Sequence, residues 1–134
     1  MRIWVPAKAE YAVRAATRLA AAGERLVKAR AIASSEAIPL RFLLTILREL
    51  VVAGLVESHR GMDGGFRLVK RDPPVTVADV LRAVDHVLEV PLPRHQPSSF
   101  DAMVDRLRED VWSSLDRVTV EDLARGELVV SSTR

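Results

Sequence analysis

Three side chains able to make directed hydrogen bonds, Arg41, Thr45 and Arg48, recur at i, i+4 and i+7. On a helix, at about 100° per residue, that spacing gathers them into one narrow stripe. Such a stripe suits a row of nucleobase edges. Arginine can donate twice to guanine O6 and N7, and threonine can bond a base or pack on a thymine methyl. Arg48, farther from the helix start, fits a phosphate equally well. The plain alternative is the solvated face of an ordinary amphipathic helix. A further cation, Arg60, stands in "LVESHRGMDGGFRL" (residues 55–68), where two short alternating runs flank an Asp-Gly-Gly tip. An arginine on a slim tip can enter a narrow minor groove, where negative potential concentrates. Gly61, Gly64 and Gly65 keep such a tip thin, and Arg67, Lys70 and Arg71 are expected beside the phosphate chain. Taken alone, a basic hairpin tip is a weak signal.

Other chemistries find less support. The chain has no cysteine, which excludes disulfides, thiolate metal sites and cysteine-held iron–sulfur clusters. His59, His86 and His95 lack metal-ligand spacing, and no nucleophile–base pair or phosphate loop occurs. The expectation is a protein that is not an enzyme, with no metal and no cofactor. The net charge of +2 conceals an asymmetry. Residues 1–71 carry 13 Lys or Arg against 6 Asp or Glu, and residues 72–134 carry 7 against 12. A basic front and an acidic back suggest that one end meets a polyanion, with chance clustering as the alternative.

The elements that must hold these residues follow from periodicity and punctuation. Tyr11, Ala12, Ala15, Ala16 and Leu19 mark a helix from Lys8 to Ala22, stopped by Gly23. A shorter helix over Lys28–Ser35 turns Ile32 and Ala33 inward. After "SSEAI", Pro39 opens a helix that runs to Ala53. Its core arc holds Leu40, Leu43, Leu47, Leu50 and Val51, with Leu44 and Ile46 at the margins. Strands are expected near Leu55–His59 and Phe66–Val69. Thr76 with Asp79, and Thr119 with Asp122, have capping-box spacing. Val77, Val80, Leu81, Val84 and Leu88 mark the helix after the first box. Phe100, Met103, Val104, Leu107, Val111, Leu115 and Val118 keep helical spacing over roughly five turns. The order predicts a mainly α fold with a small β-wing, a winged helix-turn-helix head followed by a long helix.

The segments "EYAVRA" (Glu10–Ala15), "IPLRFLLTILRELVVAGLVESHRGMDGGFRL" (Ile38–Leu68), "TVADVLRAVD" (Thr76–Asp85) and "LDRVTVEDL" (Leu115–Leu123) carry a specific likeness. In order and spacing the chain resembles the BadM/Rrf-type (IscR/NsrR/CymR-like) winged helix-turn-helix transcription regulators. The likeness spans most of the chain except the proline-rich stretch around Val90–Ser99. It implies a cytoplasmic homodimer whose heads bind double-stranded DNA at a palindromic operator, most simply as a repressor. It also implies long C-terminal helices that cross to form the dimer.

On that basis Arg41, Thr45, Arg48, Arg60, Gly61, Arg67, Lys8 and Lys28 are the expected DNA-binding residues. Phe100, Met103, Val104, Leu107, Val111 and Leu115 are the expected dimerisation residues. Residues 1–72 would form the head, 73–99 a linking helix and proline-rich sensor loop, and 100–134 the dimerisation helix and tail. Arg94 and His95 are candidates for meeting a small-molecule or protein effector. Tyr11 falls near the DNA backbone by the same likeness, or fills core.

Departures from the family pattern are equally informative. Where some members hold a cluster through three cysteines, "EVPLPRHQPSSF" has none, and where a variant ligand set uses a first-helix histidine, Arg14 stands after Glu10. Leu44 replaces a frequent glutamate, and Ala37 replaces a frequent glycine at the turn. A backbone with positive φ there would cost alanine about 1 kcal/mol. The competing reading is a regulatory subunit that binds an enzyme. Without a signal-like start or a run of ~18 apolar residues, no membrane contact is expected.

Overall fold

The computed structural model describes residues 5–84 and 98–127. Six helices and one hairpin follow one another as α1 (Ala7–Ala22), α2 (Ala29–Glu36), α3 (Leu40–Val52), β1 (Val56–His59), β2 (Gly65–Leu68), α4 (Val77–Ala83), α5 (Ser99–Asp116) and α6 (Val120–Ala124). Except at the end of α4, which stops at Ala83 with Val84 as its cap, the boundaries lie within one or two residues of those read from periodicity. Val84, expected inside this helix, is therefore just past its end, and Leu88, His86, Arg94 and His95 fall outside the described residues.

α1 is the hub. Its buried stripe of Ala9, Ala12, Ala15, Ala16, Leu19 and Ala22 is mostly alanine, so α2, α3, α4, α6 and β2 can all pack against it. Leu43, Ile46, Leu47 and Leu50 of α3 are fully buried beside it. Val75, Val80, Val84 and Val120 join the same core, so α4 and α6 pack as part of the head although they follow it in sequence. Among the described residues no polar or charged side chain is buried. Apolar area removed from water, at roughly 25 cal/mol per Å², is therefore what holds the head together.

The turn between α2 and α3 is made at Ala37, with φ 54° and ψ 46°. Its amide and that of Ile38 both donate to the Ala33 carbonyl, Ile38 at 3.0 Å, which closes α2 in a left-handed stop. Arg14 of α1 secures this turn from the side by donating to the Glu36 carbonyl, with Glu36 Oε1 3.5 Å from its Nε. The arginine found where a ligating histidine would stand is thus a structural brace.

β1 and β2 pair antiparallel in the register Val56↔Leu68, Glu57↔Arg67, Ser58↔Phe66 and His59↔Gly65. Val27, just before α2, exchanges two 2.8 Å hydrogen bonds with Phe66 and so ties the ribbon to the helical body. Both anticipated capping boxes form. Thr76 and Asp79 open α4, Thr119 and Asp122 open α6, and a third box, Ser98 with Asp101, opens α5. The starts of α4 and α6 are joined by two further bonds, Val77 N–H to the Val118 carbonyl at 2.8 Å and Val120 N–H to the Val75 carbonyl at 3.0 Å.

α5 buries no residue completely. Trp112 and Leu115, near its C-terminal end, pack on the head's core, so Leu115 is at least partly covered by its own chain. Phe100, Met103, Leu107 and Val111 are 39–56% exposed along the rest. Arg82 of α4 clamps the root of α5. Its guanidinium donates to both carboxylate oxygens of Asp116, at 3.0 and 3.1 Å, and lies 4.7 Å from the centre of the Trp112 ring.

Two outcomes follow. Ala37→Gly removes the left-handed strain and raises the unfolding free energy by about 0.5–1 kcal/mol, read as a higher urea midpoint with unchanged slope. The second concerns acid. The side-chain hydrogen bond from Arg82 holds the Asp116 carboxyl below its ordinary value, and the bond from Thr119 does the same for Asp122. A carboxylate lowered in the folded state stabilises above its unfolded pKa, and that contribution disappears as pH falls through the folded value. The melting midpoint is therefore level near neutrality and drops on entering and passing below the ordinary carboxylate range. Asp116→Asn flattens part of that drop.

Candidate nucleic-acid interface

The burial of one side of α3 sets what the other side presents. Arg41, Thr45 and Arg48 are all exposed, on the stripe expected for them. Arg41 and Arg48 have no ion-pair or hydrogen-bond partner for their guanidinium groups among the described residues. Thr45 Oγ1 reaches the Arg41 carbonyl at 3.4 Å, so its proton is directed to its own helix and its oxygen is left as an acceptor. Two margins of the helix differ from expectation. Ile46 is fully buried, whereas Leu44 stands 44% exposed. Phe42, which the periodicity left unassigned, is 59% exposed.

At the tip of the hairpin, Arg60 is exposed and likewise unpaired among the described residues. Two glycines shape this tip. Gly61 has φ 106°, which side-chain-bearing residues rarely adopt, and a Cβ on Gly64 would lie 2.1 Å from the His59 carbonyl oxygen. Lys28 Nζ donates to the carbonyls of Met62, at 2.6 Å, and Gly61, at 3.3 Å. Lys28 was expected as a DNA contact. In the structure its ammonium braces the tip that carries Arg60, with its remaining surface exposed.

Other expected cations are engaged elsewhere. Arg67 lies opposite Glu57 in the ribbon, its Nε 2.5 Å from Glu57 Oε2, because the pleat puts both side chains on the same face. That hydrogen bond is the leading cause holding the Glu57 carboxyl below its ordinary value, with His59 Nε2 3.6 Å away. Arg67 and Glu57 line a recess of about 400 Å³ with Gly23 and Glu121, beside the ends of α1 and α6. Arg71 is bound to Asp79 in the α4 capping box, and Lys8 Nζ sits 2.8 Å from Glu49 Oε1, linking α1 to α3. Tyr11 is partly buried against the core. Residue spacing could not announce these pairs, since Lys8 and Glu49 are 41 positions apart. Arg30, an exposed cation in the first turn of α2, was also missed.

A short helix, a tight turn, a helix with an outward cationic stripe and a braced hairpin beside it define a winged helix-turn-helix DNA-binding protein. Comparison with known proteins agrees. The family model Rrf2, described as an iron-dependent transcriptional regulator, matches residues 5–126. Rv1287 of Mycobacterium tuberculosis, named as an HTH-type transcriptional regulator, is 40% identical over 131 residues, covering 91% of this chain and 81% of its own. The HTH-type transcriptional regulator CymR of Bacillus subtilis is 31% identical over 105 residues, covering 76% and 75%. Among solved structures, T. potens IscR superposes with a TM-score of 0.78 at 28% identity over 92% of this chain and 88% of that one. CymR, described as the global cysteine regulator of B. subtilis, also gives 0.78, at 27% identity over 93% and 98%.

The chain belongs to the Rrf2 family of transcriptional regulators. Among the described residues no donor set fits the iron in the family's description. The sequence has no cysteine, Arg14 is bound at the α2 turn, and among the described residues no three His, Asp or Glu side chains converge as a metal site.

The geometry ranks the cations. In duplex titrations at matched salt, Arg60→Ala weakens binding by roughly 1–3 kcal/mol. Lys28→Met gives a smaller loss that grows with temperature as the unbraced tip loosens. Equal losses for both variants at every temperature would point to a direct phosphate contact by Lys28.

Proposed function

We propose that the protein is a homodimeric repressor that binds a palindromic operator with two winged heads. The observation that carries this reading is selective pairing among the head's cations. Lys8, Arg14, Arg67 and Arg71 are tied to acceptors of the same chain, whereas Arg41 and Arg48 on the outward stripe of α3 and Arg60 on the tip, like Arg18, Arg25 and Arg30 elsewhere on the head, have no such partner among the described residues. An exposed guanidinium with no internal partner is available to guanine or phosphate without first breaking a contact. α3 enters the major groove, with Arg41 and Thr45 nearest the bases and Arg48 toward the backbone. Arg60 reaches the adjacent minor groove on its braced tip.

The second head comes from a second copy. Phe100, Met103, Leu107 and Val111 fall at successive steps of three, four and four residues, a single seam along α5, with Val104 partly covered beside it. A seam of this spacing suits a helix of the same kind lying against it. Two-fold pairing then fixes the separation of the heads, and with it the spacing of the half-sites. Repression follows from occupying the operator, with no cofactor in the reading.

Light scattering on the eluting peak gives the mass of a dimer, and Leu107→Asp reduces it to that of one chain. The same substitution lowers affinity for an inverted-repeat duplex at least tenfold while leaving the weak, salt-sensitive binding to a half-site in place. A monomeric wild type that associates with a different protein through this seam would favour the regulatory-subunit reading.

A further inference from the structure

The outward side of α3 is not wholly polar. A single exposed apolar side chain needs no explanation, but the position of Leu44 is unusual. It follows Arg41 by three residues and precedes Arg48 by four, so the three side chains form one row on the helix surface. The arginines at both ends of that row are unpaired among the described residues, and Leu44 between them is 44% exposed. Phe42 lies about 100° round the helix from Arg41, on the flank away from this row.

We propose that Leu44 reads a thymine of the operator by packing on its 5-methyl group, between the positions contacted by Arg41 and Arg48. The inference rests on the docking of α3 in the major groove proposed above. The occupant is double-stranded DNA because cations bracket the leucine and residues 1–71 carry 13 Lys or Arg against 6 Asp or Glu. In the major groove the thymine methyl is the apolar feature, and the other groups that distinguish base pairs are donors or acceptors. A leucine laid over one of those would strip its water and return no hydrogen bond. Laid over a methyl, it removes apolar surface from water on both partners. The row Arg–Leu–Arg therefore selects against cytosine at the position where thymine fits, a discrimination that a solvated glutamate or lysine there could not make in the same way.

The test begins by selecting a preferred duplex from a random library with the full-length chain. Each thymine is then replaced singly by deoxyuridine, which removes only the methyl group. Affinities are measured by fluorescence anisotropy at one salt concentration for the wild type, Leu44→Ala and Leu44→Met. The expected result is one thymine per half-site whose replacement weakens the wild type about three- to fivefold, the worth of one buried methyl. Leu44→Ala binds the two duplexes equally, and Leu44→Met recovers part of the preference. Should Leu44→Ala prove unstable by circular dichroism, Leu44→Met decides by whether its deoxyuridine penalty differs from that of wild type.

If Leu44→Ala loses as much as wild type at every replacement, or no replacement affects the wild type, the inference fails while the DNA-binding reading stands. It fails likewise if Leu44→Ala lowers the mass of a protein assembly and leaves DNA affinity unchanged. If no duplex is preferred over scrambled sequence, both fail together.

Discussion

The packing of Leu43, Ile46, Leu47 and Leu50 against the alanine face of α1 fixes the rotation of α3 about its own axis. Turning the helix by a quarter would expose leucine to water and drive Arg41 or Arg48 into a core that contains no polar partner. Each buried leucine contributes on the order of 1.5–3 kcal/mol relative to exposure. The direction of the outward stripe is therefore held by apolar packing and needs no polar contact of its own. The guanidinium groups can remain uncommitted for this reason.

The ribbon is held by a different set of contacts. Val27 pairs with Phe66, and Lys28 bonds the tip carbonyls, so two consecutive residues before α2 position both the second strand and the tip of the hairpin. Because α2 packs on both α1 and α3, the stripe and the tip belong to one body. This division of labour separates cations that brace the head from cations with no internal partner among the described residues.

Much of this was legible in the residues alone, and for identifiable reasons. A 3.6-residue apolar period specifies which side of α3 is buried, and glycines beside an alternating run specify a hairpin. A threonine three residues before an aspartate specifies a helix start. The left-handed turn at Ala37 came instead from the family resemblance, whose pattern frequently has glycine there. The charges were harder. Lys8 and Arg67 look as available as Arg41 until Glu49 and Glu57 are brought beside them by folding. Periodicity also cannot say what covers an apolar residue. Leu115 and Leu107 lie on the same stripe of α5, yet Leu115 packs on its own head and Leu107 is left outside. Trp112 gave no signal at all, since its role depends on Arg82 and Asp116 meeting it from two directions.

That meeting has a mechanical consequence. α5 is about 27 Å long at ~1.5 Å per residue, and its root is gripped by a forked ion pair and a stacked ring. A tilt of about 10° at the root would swing the far end by roughly 5 Å, more than the ~3.4 Å between successive base pairs. In the dimer proposed above, stiffness at this joint would govern how sharply the paired molecule tells apart operators that differ by one inserted base pair.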